Sequence, residues 1–242
     1  MTTSKIATIA VIPARGGSVR FKGKNVHPLL GKPLLSYPIE AALRSPLIDR
    51  VLVSTDCEAI AQVARQHGAE VPFLRPEAIA QSESPVVDAM IHCVQWLKEE
   101  EQCQADYIFL LQPTTPLIEP TQFERVHEII RKERPDSIVA VTRLDTPSHP
   151  FNIRVEEENG MTKFWKGDAH YHKNTQCTQH FVKAANMWVT SWKTLVEEKR
   201  LEGERNFSLP VDWQYALDID YLEDLQMIEA WLMYCQDKNI QV

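Results

Sequence analysis

Four short apolar runs constrain this chain most: IATIAVI at positions 6 to 12, VLVST at 51 to 55, YIFLL at 107 to 111 and SIVAV at 137 to 141. They are rich in β-branched and aromatic residues and show no polar alternation, which is how strands buried on both faces read. Between them the apolar residues recur at helical spacing. Leu35, Ile39 and Leu43 form one stripe, and Ile60, Val63 and Ala64 form a second that stops at Gly68. Val87, Met90, Ile91 and Val94 form a third, and Phe123, Val126 and Ile130 a fourth. Strands that alternate with helices build βαβ units, so the expected class is α/β, with a mostly parallel, doubly wound sheet between helical layers.

The rhythm changes between about 145 and 203. The stretch DTPSHPFNIRVEEENGMTKFW has the form of a hairpin with ENG at its turn, and HFVKAANMWVTSW reads as a further mixed strand. The α/β pattern then resumes in YALDIDYLEDLQMIEAWLMY, where Leu222, Leu225, Ile228 and Leu232 keep a helical stripe. Residues 145–203 are therefore expected to be a β-rich lobe inserted into a single domain spanning 1–242, rather than a second domain. No internal repeat or low-complexity segment interrupts the chain.

The 26 basic and 33 acidic side chains leave a formal net charge of −7, which argues against binding nucleic acid through a broad basic surface. The five cysteines, Cys57, Cys93, Cys103, Cys177 and Cys235, form no C-x-x-C pair and no zinc-finger spacing, so they are expected to be reduced thiols. The apolar run near the N-terminus is too short for a membrane span and has no small-residue cleavage site behind it. Together these features lead to the expectation of a cytoplasmic protein, away from membranes.

In an open parallel sheet, ligands sit outside the carboxyl ends of the strands, so the residues just after each apolar run are the informative ones. The first such stretch is PARGGSVRFKGKN, 13 to 25, with Gly16, Gly17 and Gly23 among Arg15, Arg20, Lys22 and Lys24. Glycines let the backbone turn tightly and approach a phosphate, and the cations supply charge, so a polyphosphate is the natural guest. It is not a P-loop: five residues rather than four separate Gly17 from Gly23, and Asn25 stands where the Mg²⁺-binding hydroxyl belongs. A solvated basic loop is the alternative.

The second stretch is LLQPTTPL, 110 to 117. Two prolines stiffen it, and Gln112, Thr114 and Thr115 offer neutral hydrogen-bonding groups; a proline-rich turn that only ends a strand explains it equally well. The third is ALDIDYLED, 216 to 224. In an extended segment Asp218 and Asp220 face one side and can hold a hard divalent cation. The structural alternative makes Asp220 the cap of the following helix, with Glu223 completing a capping-box-like pair. Histidines 170, 172 and 180 have no partner fixed by spacing and read as polar surface, while Trp188 and Trp192 read as core or interface anchors.

Taken in order, IPARGGSxRxKGKN, GKPLLSYPIEAAL, VLVSTD, VPFLRPEAIA, LLQPTTPL and LDIDYLEDLQMIE resemble the acylneuraminate cytidylyltransferases, the CMP-sialic acid synthetases and their bacterial relatives. The resemblance runs through nearly the whole chain and weakens between 145 and 205. It implies a Rossmann-like three-layer fold with a protruding lobe that packs in a homodimer. It also implies a reaction in which a 2-keto-3-deoxy sugar acid attacks the α-phosphate of CTP, giving a CMP-sugar and pyrophosphate. By the same resemblance Arg15 and Lys24 are catalytic, holding the triphosphate. Ala14, Gly16, Gly17, Ser18, Arg20, Lys22, Asn25, Arg75 and Ser84 would bind the nucleotide, with Asn25 reading the cytosine and Arg75 near the base or ribose. Gln112, Thr114 and Asn186 would bind the sugar acid, and Asp218 with Asp220 would carry Mg²⁺.

Two departures stand out. The family usually has a lysine directly after the loop serine, and here that place is Val19, with Arg20 or Lys22 as substitutes. Where the sialic acid enzymes resemble RQxxPxxYRxNGAIY, this chain has QCTQHFVKAANMWVT. Asn186 fits, but Gln176 and Ala184 replace the expected arginines. A sugar carboxylate needs a donor, so either Lys163, Lys166, Lys173 or Lys183 reaches it or the acceptor is not ordinary N-acetylneuraminate. The expectation is an unusual acceptor such as a legionaminate, a pseudaminate or a related keto-sugar acid, with a 3-deoxy-manno-octulosonate-type acceptor, or nucleotide binding without turnover, as the alternatives.

Overall fold

The computed structural model describes residues 6–18, 20–144, 150, 152–158, 160–165 and 182–240. Val19, Lys166, Lys173, Gln176, Cys177 and the histidines at 170, 172 and 180 lie outside the described residues.

The strands are β1 (Thr8–Pro13), β2 (Pro28–Leu29), β3 (Lys32–Pro33), β4 (Arg50–Ser54), β5 (Tyr107–Leu111), β6 (Ser137–Arg143), β7 (Arg154–Glu156), β8 (Thr162–Phe164), β9 (Val182–Ser191) and β10 (Asn206–Pro210). The α-helices are α1 (Ser36–Arg44), α2 (Glu58–Gln66), α3 (Val86–Glu101), α4 (Thr121–Glu133) and α5 (Leu222–Asp237). Six strands form the main sheet in the order β10-β6-β9-β5-β1-β4. β1 runs parallel to both β4 and β5, and β10 runs parallel to β6, while β9 is antiparallel to β5 and β6.

The strands are apolar on both faces because helices cover both. Ala10 and Ile12 of β1 face the core shared by α1, α2 and α4, with Ile39, Ile60 and Phe123 packed there. Ile9 and Val11 face the other way, onto Met90, Val94 and Leu97 of α3 and onto Trp192 and Leu195. α5 closes a third cluster by laying Leu225, Ile228 and Leu232 on Leu29 and Leu34. The helical stripes hold except at their ends: Leu43 and Leu222 are exposed.

One expectation needs correction, and two further placements are set by the fold rather than by local pattern. Within HFVKAANMWVTSW, residues Val182–Ser191 do not belong to a separate lobe: they form β9, inserted between β5 and β6, so Ala185, Met187 and Val189 complete the main core. Its two neighbours supply backbone partners along both edges, which an isolated lobe strand would lack. The hairpin with ENG at its turn is β7–β8, where Gly160 takes φ +79° and donates to the Glu157 carbonyl at 2.8 Å. Second, β10 pairs beside β6 although NFSLP reads weakly as a strand, because as an edge strand it buries only alternate positions. Third, LDID is not a sheet strand. It is an extended connection after the 3₁₀ turn Trp213–Ala216, tied down where the Ile219 amide donates to the Thr114 carbonyl at 2.8 Å.

No helix among the described residues is long and apolar enough to cross a membrane. Cys57, Cys93, Cys103 and Cys235 are free thiols.

Candidate active site

A cavity of about 670 Å³ opens at the carboxyl ends of β1 and β5. Its walls come from three distant stretches: Pro13, Arg15, Ser18, Arg20, Phe21, Lys24 and Asn25; Gln112, Pro113 and Thr114; and Asp218 with Asp220. The volume lies in the range of small-molecule sites. Ser82 and Val86, at the entry to α3, close one side.

The basic loop does not run into a helix N-terminus, as a P-loop would. It passes instead through a single 3₁₀ turn at Lys24–Val26 and the β2–β3 hairpin before α1 begins. Gly16 is needed for space: a Cβ there would lie 2.9 Å from the Cys57 Cβ. Its amide donates to Asp56 Oδ1 at 2.8 Å, and the Ser18 amide donates to the Gly16 carbonyl, so these two N–H groups already have partners. Gly17 has open space around its Cβ direction. Arg15 enters the cavity with its Nη1 donating to the Gln81 carbonyl at 3.0 Å.

Lys24 reaches across to the carboxylates: its Nζ lies 2.7 Å from the Ile219 carbonyl and 3.2 Å from Asp220 Oδ1. Arg20 Nη1 lies 2.7 Å from Asp220 Oδ2. Capping does not explain Asp220. The cap acceptor is Asp224, whose Oδ2 takes the amides of Asp220 and Tyr221 at 2.9 and 2.8 Å, one position beyond the expected Glu223. Asp220 is left to turn its carboxylate toward the cations. Asp218 opens onto the cavity solvent but is crowded by protein, and that burial raises its carboxyl above the usual range. The Thr114 hydrogen bond and Lys24 oppose the shift, while Asp220 and Asp224 add to it.

Two oxygen-donor carboxylates beside a cation-lined cavity fit a hard divalent cation that completes its shell with phosphate oxygens. The raised carboxyl of Asp218 fits too, since burial beside other carboxylates leaves its charge in need of a counter-cation. Asp218 and Asp220 would hold such an ion.

The structure brings Arg15, Ser18, Arg20, Lys24, Asn25, Gln112, Thr114, Asp218 and Asp220 together. Ala14, Gly16, Gly17, Lys22, Arg75 and Ser84 do not line the cavity. Ala14 is buried, its amide on the Ser54 carbonyl, while Gly17 and Lys22 point to solvent. Arg75 is buried behind β4, its Nε donating to Ser54 Oγ at 2.9 Å and its Nη2 to the Ser54 carbonyl. Ser84 Oγ accepts from the Gln81 amide and so shapes the turn that meets Arg15.

Asn186 departs furthest from expectation. It is fully buried in β9, pairs its amide with that of Gln122 at 2.9 and 3.0 Å, and donates to the Leu117 carbonyl at 2.7 Å. It supports the 112–118 loop from behind rather than facing the cavity. Phe21, Ser82 and Val86 also line the cavity, outside the residues the sequence singles out. The aromatic at 21 inside a charged loop was the one available sequence signal.

The cytidylyltransferase family model matches residues 9–240. The CMP-N,N'-diacetyllegionaminic acid synthase of Legionella pneumophila is 42% identical over 232 residues, covering 95% of this chain and 97% of that protein. The pseudaminic acid cytidylyltransferase of Campylobacter jejuni is 28% identical over 219 residues, covering 90% and 93%. Among solved structures, CMP:2-keto-3-deoxy-manno-octonic acid synthetase complexed with CTP superposes with a TM-score of 0.71 at 18% identity, covering 94% of this chain and 99% of that one. This likeness establishes a shared fold. The sequence match over almost the full length, on a fold whose basic loop meets a carboxylate pair, shows that the chain belongs to the cytidylyltransferase family.

Proposed function

We propose that this protein transfers the cytidylyl group of CTP to the anomeric hydroxyl of a nine-carbon 2-keto-3-deoxy sugar acid. One observation carries the reading: a single cavity gathers Arg15, Arg20 and Lys24 with Asp218 and Asp220, and with Gln112 and Thr114 in the same wall set. Phosphoryl-group transfer depends chiefly on positioning and on cations that neutralise developing charge, and this arrangement supplies both. The acceptor oxygen forms a bond to the α-phosphorus, the bond from that phosphorus to the bridging oxygen breaks, and pyrophosphate leaves. The hydroxyl proton passes to solvent in the open cavity. Mg²⁺, when bound, adds charge neutralisation on the phosphate oxygens. Arg15 and Lys24 hold the phosphates and Gln112 and Thr114 the sugar acid, while Asp218 and Asp220 would hold the metal.

The legionaminic and pseudaminic acid enzymes among the relatives support the unusual acceptor class. So does Ala184, exposed on β9 where the sialic acid enzymes place an arginine. A homodimer and a cytoplasmic location belong to the same reading, and light scattering in solution tests the first.

The test is incubation with CTP, Mg²⁺ and a mixture of legionaminic, pseudaminic, N-acetylneuraminic and 3-deoxy-manno-octulosonic acids, with the CMP-linked product identified by mass. Transfer to a legionaminate- or pseudaminate-type acid is expected. Preference for N-acetylneuraminate or the octulosonate overturns the acceptor assignment. No pyrophosphate release with any acid leaves a nucleotide-binding protein without turnover.

A further inference from the structure

One peptide group in the basic loop is held from both sides. The carbonyl oxygen of Arg15 accepts from Asn25 Nδ2 at 2.9 Å, and the amide of Gly16, the other half of the same peptide, donates to Asp56 Oδ1 at 2.8 Å. The plane cannot rotate without breaking both bonds. The two side chains come from independent places: Asn25 is buried in the 3₁₀ turn that follows the loop, and Asp56 is exposed in the turn between β4 and α2.

The neighbouring contacts show that this docking is built into the fold. The Ala14 amide donates to the Ser54 carbonyl at 2.9 Å, so positions 14 and 16 both anchor on residues 54 to 56. Between those anchors, Arg15 projects into the cavity. The absence of room for a Cβ at Gly16 is the steric counterpart of the Asp56 bond, because the loop is pressed against the next residue, Cys57.

We infer that Asp56 and Asn25 are positioning residues that clamp the Arg15–Gly16 peptide and thereby fix where the Arg15 guanidinium enters the cavity. The inference rests on the cytidylyl-transfer reading and assigns Asp56 a role that the resemblance does not. Asp56 does not line the cavity and acts through the loop. Two adjacent glycines would otherwise leave the backbone free to flip, and that freedom would have to be lost each time the triphosphate bound. Capturing both polar ends of one peptide removes it in advance. One N–H of the Asn25 amide is thereby given to the Arg15 carbonyl, so Asn25 supports Arg15 whether or not the rest of its amide meets a base.

The experiment compares Asp56→Ala, Asp56→Asn, Asn25→Ala and the double variant Asp56→Ala/Asn25→Ala with the wild-type chain. Steady-state transfer, CTP dissociation constant, CTP-to-UTP discrimination and Tm are measured for each. Asp56→Ala is expected to lower kcat/KM for CTP by about 10-fold to 100-fold, the scale set by small misplacement of a catalytic group, with Tm little changed. Asp56→Asn keeps an oxygen acceptor and recovers most of the loss. The double variant loses scarcely more than the more impaired single variant, since with either bond gone the remaining one serves as a pivot and no longer fixes the plane. Discrimination of CTP from UTP is unchanged in Asp56→Ala.

Wild-type activity in Asp56→Ala, no rescue by Asn, or losses that multiply in the double variant would each overturn the clamp. If Asp56→Ala fails to fold, Asp56→Ser, whose hydroxyl is too short to bridge the gap, replaces it in the same comparison. If the wild-type chain transfers nothing, the cytidylyl-transfer reading fails. The clamp is then decided by the CTP dissociation constant, which weakens in the alanine variant and recovers in the asparagine variant if the clamp holds.

Discussion

Arg20 Nη1 lies 2.7 Å from Asp220 Oδ2, across 200 positions of sequence, and both residues line the same cavity. The side chains are 60% and 41% exposed, so the pair belongs to the class of surface ion pairs that contribute about 0–1 kcal/mol to stability. Stability is therefore a weak explanation for the placement. Replacing Asp220 by asparagine is expected to leave Tm within a few degrees of wild type while Mg²⁺-dependent transfer falls on the order of 10²-fold. Thermal unfolding and pyrophosphate release, measured on the same preparation, check both halves. A large drop in Tm with normal turnover would return Asp220 to a structural role.

Asn186 gives the opposite signature. Its amide is fully buried and bonded to Gln122 and to the Leu117 carbonyl. Asn186→Leu would strand Gln122 Nε2, whose Oε1 keeps the Glu119 amide, and would strand the Leu117 carbonyl, at a cost of about 1–3 kcal/mol for each buried group. Denaturant unfolding should show the loss directly. Transfer falls with it because Gln112 and Thr114 ride on the loop that Leu117 continues. A direct contact with the sugar acid would instead raise the acceptor KM and leave the unfolding free energy intact.

The four apolar runs announced β1, β4, β5 and β6 because strands buried on both faces carry uninterrupted hydrophobic sequence, and two of the three site stretches follow from where β1 and β5 end. The β9 segment reads from sequence as part of an inserted lobe yet lies in the main sheet, because pairing partners are set by long-range backbone bonds and a strand that crosses the sheet antiparallel looks locally like any hairpin strand. The same limit applied to Asn186 and Asp224. An asparagine on a strand does not reveal whether its amide faces a cavity or another amide. Acidic residues at 220, 223 and 224 around a helix start do not reveal which of them caps it until the backbone direction is known.

Burial lowers the His127 pKa, with Arg131 acting in the same direction; a hydrogen bond to the Leu47 backbone and the charge of Asp49 partly oppose the shift. The unfolded chain therefore binds a proton near pH 6.5 that the folded chain refuses until lower pH, so stability is fully present above that value and declines as pH falls through the folded pKa. His127→Phe keeps a ring against Phe109, on which the imidazole stacks at 6.2 Å, and removes the titration. The fall in unfolding free energy between pH 7 and pH 5 should be shallower in the variant than in wild type. Equal slopes would show that His127 is not a source of the acid sensitivity.

Gly16 and Gly17 are adjacent and chemically identical, yet they should respond differently to one methyl group. At Gly17 nothing lies within 4 Å of an added Cβ, whereas at Gly16 the Cβ would meet the Cys57 Cβ at 2.9 Å. Neither residue is among those with a left-handed backbone, so the difference is one of space and not of φ. Gly17→Ala should leave stability within about 0.5 kcal/mol of wild type. Gly16→Ala must push the loop off the β4–α2 turn, an overpacking cost of about 1–3 kcal/mol, and it loosens the Asp56 bond with it. Because the clash is with a Cβ and not with the sulfur, Cys57→Ala cannot relieve it, but Cys57→Gly can. Glycine is tolerated at the N-cap of α2, which Cys57 occupies, so the partner change carries little cost of its own. Unfolding free energies for Gly16→Ala, Cys57→Gly and the pair form a double-mutant cycle in which the pair should recover most of the loss. Strict additivity would mean that the loop and the turn are not in contact as described.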